Sequence, residues 1–338
     1  MSWQSSLACW FLRRQFRPAT MKSEISVEYA RKMTAKRAYS PKVPRGWRLR
    51  EQYGADADPL RGEWIEPLPN VPDVPDTPGM SAPSAHRTTL LYLHGGGYYF
   101  CSPRSHRSIV FGLATRAGAS AFSLDYRLAP EHPFPAALDD ALAAYRRLIA
   151  DGIAAQSIVI AGDSAGGGLA LATLVALHDA GDAMPAGAML FSPWTDLAAT
   201  GATLKSNDGV DPMFHGESIE RAAKLYLAET PGTHPYASPV YADLRGLPPL
   251  SIQAGSTEVL LDDSLRVADN ARRAGVPVDM QVWPKMPHVW QMFTPFIPEA
   301  NRALDRAAAF IREATRDAHD RMSESGQSSQ ASSATSMV

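Results

Sequence analysis

Hydrophobic positions along the chain fall into two alternating rhythms between residues 90 and 283. Short apolar runs at 90–93, 121–124, 158–161, 188–191, 250–254 and 280–283 have the length and continuity of strands buried on both faces. Between them, apolar residues recur at helical spacing. Leu138, Leu142, Tyr145 and Ile149 share one face of a stretch that opens after Pro135 and closes at Gly152, the start and stop punctuation of an amphipathic helix. Further helices are expected over about 168–178, over 262–273 and near 299–316. Such alternation predicts an α/β fold, with a mostly parallel central sheet covered by helices on both faces.

Some segments stand outside this rhythm. The stretch from 191 to 250 is too long for a simple crossover, and 216–229 within it carries Ile219, Ala222, Ala223 and Tyr226 at helical spacing. An inserted cap is expected there. With the first forty or so residues it would form a helical lid above the strand ends, where ligands bind in open α/β sheets. Prolines crowd 67–83, which is read as an extended surface connection, and SESGQSSQASSATS near the C-terminus has the composition of a disordered tail. The expected organisation is N-terminal cap helices (1–46), core (47–197), cap insertion (198–236), core again (237–316) and disordered tail (317–338).

Composition narrows the partners. Of 338 residues, 45% are hydrophobic and 20% charged, and the formal net charge is −2, so no basic surface nominates a nucleic acid. A small, roughly neutral substrate fits better. Cys9 and Cys101 cannot make a disulfide framework, which favours a reducing compartment and a cytoplasmic location. The apolar patch 7–12 is followed by arginines and no cleavage site, and no apolar stretch approaches the roughly 18 residues a membrane span needs. No stable membrane insertion is expected. Trp3, Leu7, Trp10 and Phe11 are expected to pack against their own protein, with interfacial membrane contact the lesser alternative.

Two glycine-rich motifs carry the chemistry. Gly162-Asp163-Ser164-Ala165-Gly166 follows the strand at 158–161 and precedes an apolar helix, the context of a nucleophile elbow. Its strained turn requires small flanking residues and aims Ser164 at a helix N-terminus, where developing negative charge is favoured. His94-Gly95-Gly96-Gly97 directly follows the strand at 90–93. Glycines there let N–H groups converge on the oxyanion of a tetrahedral intermediate, so the expected donors are Gly96, Gly97 and Ala165. His94 is expected to brace that loop.

A serine nucleophile in this topology takes its acid and its base from later in the chain, in that order. His86, His94, His106 and His132 precede Ser164; His178 ends the following helix, His215 and His234 lie in the insertion, and His319 falls in the terminal helix. His288, after the strand at 280–283, remains as the base. For the acid, Glu258, Asp262 and Asp263 all follow the strand at 250–254.

HGGG at 94–97, YRLAPEHPFPAALDD at 126–140, GDSAGGG at 162–168 and SPWTD at 192–196 together resemble the bacterial hormone-sensitive-lipase family of carboxylesterases, over roughly residues 47–312. The resemblance implies an α/β-hydrolase core with a helical cap, no metal or organic cofactor, activity on short- to medium-chain acyl esters, and a possible homodimer. It also implies a structural role for 126–131, bracing the oxyanion loop, and an acyl pocket walled by Trp194, with Tyr98 and Asp163 beside it. Glu258-Val259-Leu260 stands where the family commonly has Asp-Pro-Leu, and Pro287 before His288 is a further departure that restricts Met286. Glu258 is preferred to Asp262 as the acid: it lies just beyond the strand and at the family's acid position, whereas Asp262 comes about one turn later, at a helix N-terminus.

The same apparatus also serves lactonases, carbamate hydrolases and arylformamidases. A receptor-like binding module related to this family would have lost the catalytic histidine, and His288 is present. The glycines at 162–168 do not form the G-x-G-x-x-G of a dinucleotide site.

Overall fold

In the computed structural model, which describes residues 1–37, 39–54, 58–69 and 88–335, all six apolar runs lie in strands of one sheet, and two further strands precede them. β1 (Trp47–Gln52) and β2 (Gly62–Pro67) are antiparallel to each other, and β2 is antiparallel to β4. β3 (Thr89–Leu93), β4 (Ser120–Leu124), β5 (Ile158–Asp163), β6 (Gly187–Phe191), β7 (Leu250–Gly255) and β8 (Val278–Trp283) run parallel. The order across the sheet is β1-β2-β4-β3-β5-β6-β7-β8. β1 and β2 gave no apolar run because the outer strand alternates buried Trp47 and half-buried Leu49 with charged residues, among them Arg48, which faces Glu66 across the pair. β8 departs from expectation in the opposite sense. It closes the other edge of the sheet and is only half buried, not the fully buried strand its apolar residues implied.

Helices α1 (Trp3–Gln15), α2 (Arg17–Thr20) and α3 (Val27–Arg37) precede the sheet. α4 (Pro103–Ala117), α5 (Ala136–Ala150) and α6 (Ala165–Asp179) follow β3, β4 and β5; α7 (Thr203–Ser206) and α8 (Gly216–Leu227) lie between β6 and β7; α9 (Leu261–Arg273) links β7 to β8, and α10 (Pro298–Thr335) comes last. The sheet's two faces feed two cores. Leu91, Leu93, Ile158 and Ile160 pack with α5, α6 and α9, while Leu90, Tyr92 and Val159, one residue out of phase, pack with α4 and α10. The β3–β5 ends that carry the chemistry are thus clamped from both sides.

α10 runs past residue 316 through most of the segment expected to be a disordered tail. Composition there reports a shortage of apolar side chains to bury, but Gly326 is the one strong helix breaker and no proline intervenes. The proline-rich connection lies outside the described residues from residue 70 onward.

The N-terminal helices dock on the insertion through arginines. Arg13 donates to the carbonyls of Gly209 and Val210 (3.2 and 2.7 Å), Arg17 to those of Asp211 and Phe214 (2.7 and 2.9 Å), and Arg221 of α8 reaches back to the Thr20 carbonyl at 2.8 Å. Trp3, Leu7, Trp10 and Phe11 do not pack inward as expected. All four are exposed, because polar contacts and the opposite face of α1, with Ser5 and Leu12, hold the helix in place.

Candidate active site

β5 ends in the elbow. Ser164 adopts φ 52° and ψ −121°, its N–H donates to the Phe191 carbonyl at 2.9 Å, and its own carbonyl accepts from Trp194 N–H at 2.9 Å. Helix α6 begins immediately, at Ala165, so Ser164 is itself the N-cap, and the helix starts three residues earlier than its apolar periodicity indicated. Glycine is needed because the helix lies against β3: a Cβ on Gly166 would stand 2.0 Å from the Leu93 carbonyl oxygen, and one on Gly168 would stand 2.0 Å from that of Trp194.

The loop after β3 is held from beneath. Gly96 and Gly97 have φ values of 117° and 58°, and neither N–H is taken by a backbone acceptor among the described residues. Tyr126 donates to the His94 carbonyl at 2.6 Å, and its ring stacks on His94 at 4.3 Å. Burial drives the His94 pKa down to about 3, so the ring stays neutral and braces the loop, as its position implied. The 126–131 segment continues the brace: Ala129 N–H donates to the Tyr98 carbonyl at 2.9 Å, and Arg31 of α3 binds Glu131 and the Ala129 and Tyr99 carbonyls.

Asp163 does not line a pocket. Its carboxylate is buried behind the loop, accepting from Tyr92 Oη (2.7 Å) and Gly95 N–H (3.0 Å), with His106 Nε2 at 3.2 Å. At the end of β5 its side chain leaves the sheet on the α4 side. Burial alone would raise its pKa, but His106 and the Tyr92 hydrogen bond outweigh it and hold the carboxyl below the usual range. Tyr98 and Trp194 are also buried, with rings 6.0 Å apart, and Tyr98 stacks on Tyr226 of the insertion at 3.7 Å. They form a wall beside the first turn of α6, where Tyr98 Oη lies 3.2 Å from the Cβ position of Gly168.

His288 is buried in the loop after β8, and its Nδ1 is 2.7 Å from Glu258 Oε2. The other oxygen, Oε1, accepts from Ser192 Oγ at 2.7 Å and from Gly255 N–H. Asp262 instead accepts from Ala202 N–H at 3.0 Å, and Asp263 accepts from Thr195 and Asp196 N–H at 2.8 Å each. The structure therefore brings Glu258, and neither aspartate, to His288. Burial lowers the His288 pKa, but the Glu258 carboxylate, with smaller contributions from Asp211 and Asp163, lifts it above the ordinary 6.5. Nε2 is buried and has no hydrogen-bond partner among the described residues, leaving it free to accept a proton.

Residues that sequence reasoning passed over complete this arrangement. Ser192, at φ 46°, joins Glu258 to the Val289 N–H (3.2 Å), so one hydroxyl ties the carboxylate to the residue after the histidine. Asp211 of the insertion is buried; it accepts from Met213 and Phe214 N–H with one oxygen and from Val259 N–H with the other. Phe214 then stands edge-on to His288 at 5.1 Å. Ser192 lies inside the SPWTD motif and Asp211 precedes a proline, but neither spacing discloses a partner.

The α/β-hydrolase fold profile matches residues 90–292, the interval that holds every one of these groups after β2. The chain belongs to the α/β-hydrolase family, within its bacterial hormone-sensitive-lipase group. An acetyl-hydrolase of Streptomyces hygroscopicus is 49% identical over 227 residues, covering 67% of this chain and 76% of that protein. An esterase of Acinetobacter venetianus is 38% identical over 233 residues, covering 68% and 77%. Among solved structures, an esterase of the bacterial hormone-sensitive-lipase family superposes with TM-score 0.80 at 37% identity, covering 93% of this chain and 99% of that one. The esterase EstE5, soaked with p-nitrophenyl butyrate, gives 0.82 at 39%, covering 94% and 100%. In this hydrolase the departures near the acid have a local explanation. Gly255 lets the 255–258 turn close on Met286, where a Cβ would stand 2.1 Å from the Met286 carbonyl oxygen, and Thr257 donates to that same carbonyl at 2.7 Å. The loop before Pro287 is thus pinned to the loop carrying Glu258.

Proposed function

We propose that this carboxylic ester hydrolase cleaves short- to medium-chain acyl esters through a Ser164–His288–Glu258 triad and an acyl-enzyme intermediate. His288 Nε2 takes the proton of Ser164 Oγ as that oxygen attacks the acyl carbon. The carbonyl oxygen, now anionic, accepts hydrogen bonds from the N–H groups of Gly96, Gly97 and Ala165 at the positive end of α6. Collapse expels the alcohol, which leaves with the proton from His288. Water, deprotonated by the same nitrogen, then releases the carboxylic acid and restores Ser164. Glu258 fixes the tautomer in which Nδ1 carries the proton and stabilises the imidazolium.

The observation that carries this reading is the buried His288 Nδ1 to Glu258 Oε2 contact of 2.7 Å, with Nε2 left unpartnered in a chain whose elbow and glycine loop adjoin on β5 and β3. Short acyl groups are favoured because Tyr98, Trp194 and Tyr226 close one side with packed aromatic rings and Phe214 covers the histidine. A structural relative soaked with a butyrate ester fits that choice. The 1–46 and 198–236 segments together act as the site's cap. The test is turnover of p-nitrophenyl esters of rising acyl length by wild type and Ser164→Ala. Activity peaking at about two to eight carbons is expected for wild type, with background turnover for the variant. Faster cleavage of a sixteen-carbon ester, or turnover retained without the hydroxyl, contradicts the proposal.

A further inference from the structure

α1 turns its apolar side away from the protein. Leu7 stands four residues after Trp3, and Trp10 and Phe11 stand three and four after Leu7, which places all four on one face, and they are 72%, 55%, 54% and 47% exposed. Ser5 and Leu12, the buried residues of the helix, lie on the opposite face. Arg14 shares the exposed face, its guanidinium 4.9 Å from the Trp10 ring centroid. Arg13, at the margin, spends its donors on the carbonyls of Gly209 and Val210. Neither arginine forms an ion pair among the described residues. Glu299, the carboxylate that meets the first turn, is taken up by Ser2 and Ser5.

An aromatic stripe with uncompensated positive charge fits an anionic partner. A second copy meeting the same face across a two-fold axis would bring two Arg14 side chains into one contact to which α1, WQSSLACWFLRRQ, contributes no carboxylate. A lipid surface has the complementary sign and accepts tryptophan rings at headgroup depth while cationic side chains stay in the phosphate layer. We propose that the exposed face of α1 seats the protein on an anionic lipid bilayer, with the helix lying in the interface plane. No helix among the described residues is long and apolar enough to cross a membrane, so this is peripheral attachment. Through Arg13 and Arg17 the other side of this N-terminal segment holds residues 209–214, which reach His288 by way of Phe214. Docking therefore brings the cover of the site to the lipid.

The experiment is cosedimentation of the full chain with vesicles of phosphatidylcholine alone and of phosphatidylcholine with phosphatidylglycerol, at low and high salt. Binding is expected on the anionic vesicles, about tenfold or more above that on neutral ones, and weakening with salt. The quadruple variant Trp3→Gln, Leu7→Gln, Trp10→Gln, Phe11→Gln, and separately Arg14→Glu, should each lose about tenfold in vesicle binding. Because these side chains are exposed, circular dichroism and hydrolysis of water-soluble p-nitrophenyl acetate should be unchanged. Failure of the wild type to bind anionic vesicles, or equal binding by the quadruple variant, overturns the proposal. So does a dimer, seen by light scattering and dissolved by the same substitutions, in a protein that ignores vesicles.

Discussion

Glu258 uses its two oxygens for different purposes, and that division predicts how its neighbours behave when changed. Oε2 orients His288, and Oε1 is held by Ser192 and Gly255. Replacing Glu258 by Gln removes the charge and presents the ring with a group that need not accept, so kcat should fall by about 10⁴-fold, whereas Asp262→Asn should have a mild effect. Measured kcat values that reversed this order would reassign the acid. The pH profile follows from the same contact. His288 must be neutral to accept the proton, and the Glu258 carboxylate outweighs burial to hold its pKa above 6.5, so kcat/KM should fall as pH drops through a point above 6.5. Any residual activity of Glu258→Gln should show that limb displaced to lower pH. The placing of Ser164 at the elbow, and of Glu258 rather than Asp262 against His288, could be read from chain order and from the distance beyond each strand. Ser192, Tyr92 and His106 could not, because their importance lies in hydrogen bonds between residues far apart in sequence.

At the scale of elements, a buried carboxylate of the insertion, together with Thr203 and Asn207, ties the insertion to the loop that carries Glu258. Asp211 bonds its own turn with one oxygen and Val259, the residue after Glu258, with the other. Asparagine can accept at one of those positions only, because its second group is a donor. Asp211→Asn is expected to lower kcat by about tenfold and to shift the acid limb downward, since the Asp211 charge helps to raise the His288 pKa. An unchanged profile in the folded variant would remove Asp211 from the account. The strands were legible because parallel strands buried on both faces are written as continuous apolar runs. β1 and β2 were not, because charged residues interrupt their apolar positions, and β8 was misjudged because an apolar run does not disclose that a strand sits at an edge. The elbow glycines show the reverse case: their positions were obvious in sequence, while the reason for them, an approach of α6 to β3 with no room for a Cβ, is a tertiary fact.

For the molecule as a whole, the fold supplies rigid strand ends; α8 of the insertion packs into the core through Ile219, Ala223, Tyr226 and Leu227, whereas the N-terminal helices hold the insertion through polar contacts. Leu91 lies fully buried between β4 and β5, so Leu91→Ala should cost about 2–5 kcal/mol and lower Tm without changing the substrate profile of the surviving folded protein. Removing residues 1–40 takes away the arginines that bind the 209–214 carbonyls and should reduce activity far more than it reduces Tm. A soluble truncation with full activity would show that the N-terminal helices do not form part of the site's cover. The direct test of the central claim is to quench a reaction with p-nitrophenyl butyrate during its first turnovers and map the modified peptide by mass spectrometry. A butyryl group on Ser164, accumulating in wild type and absent from Ser164→Ala, is the result expected. Rapid turnover with no acyl adduct at Ser164, or with the adduct on another residue, would contradict it.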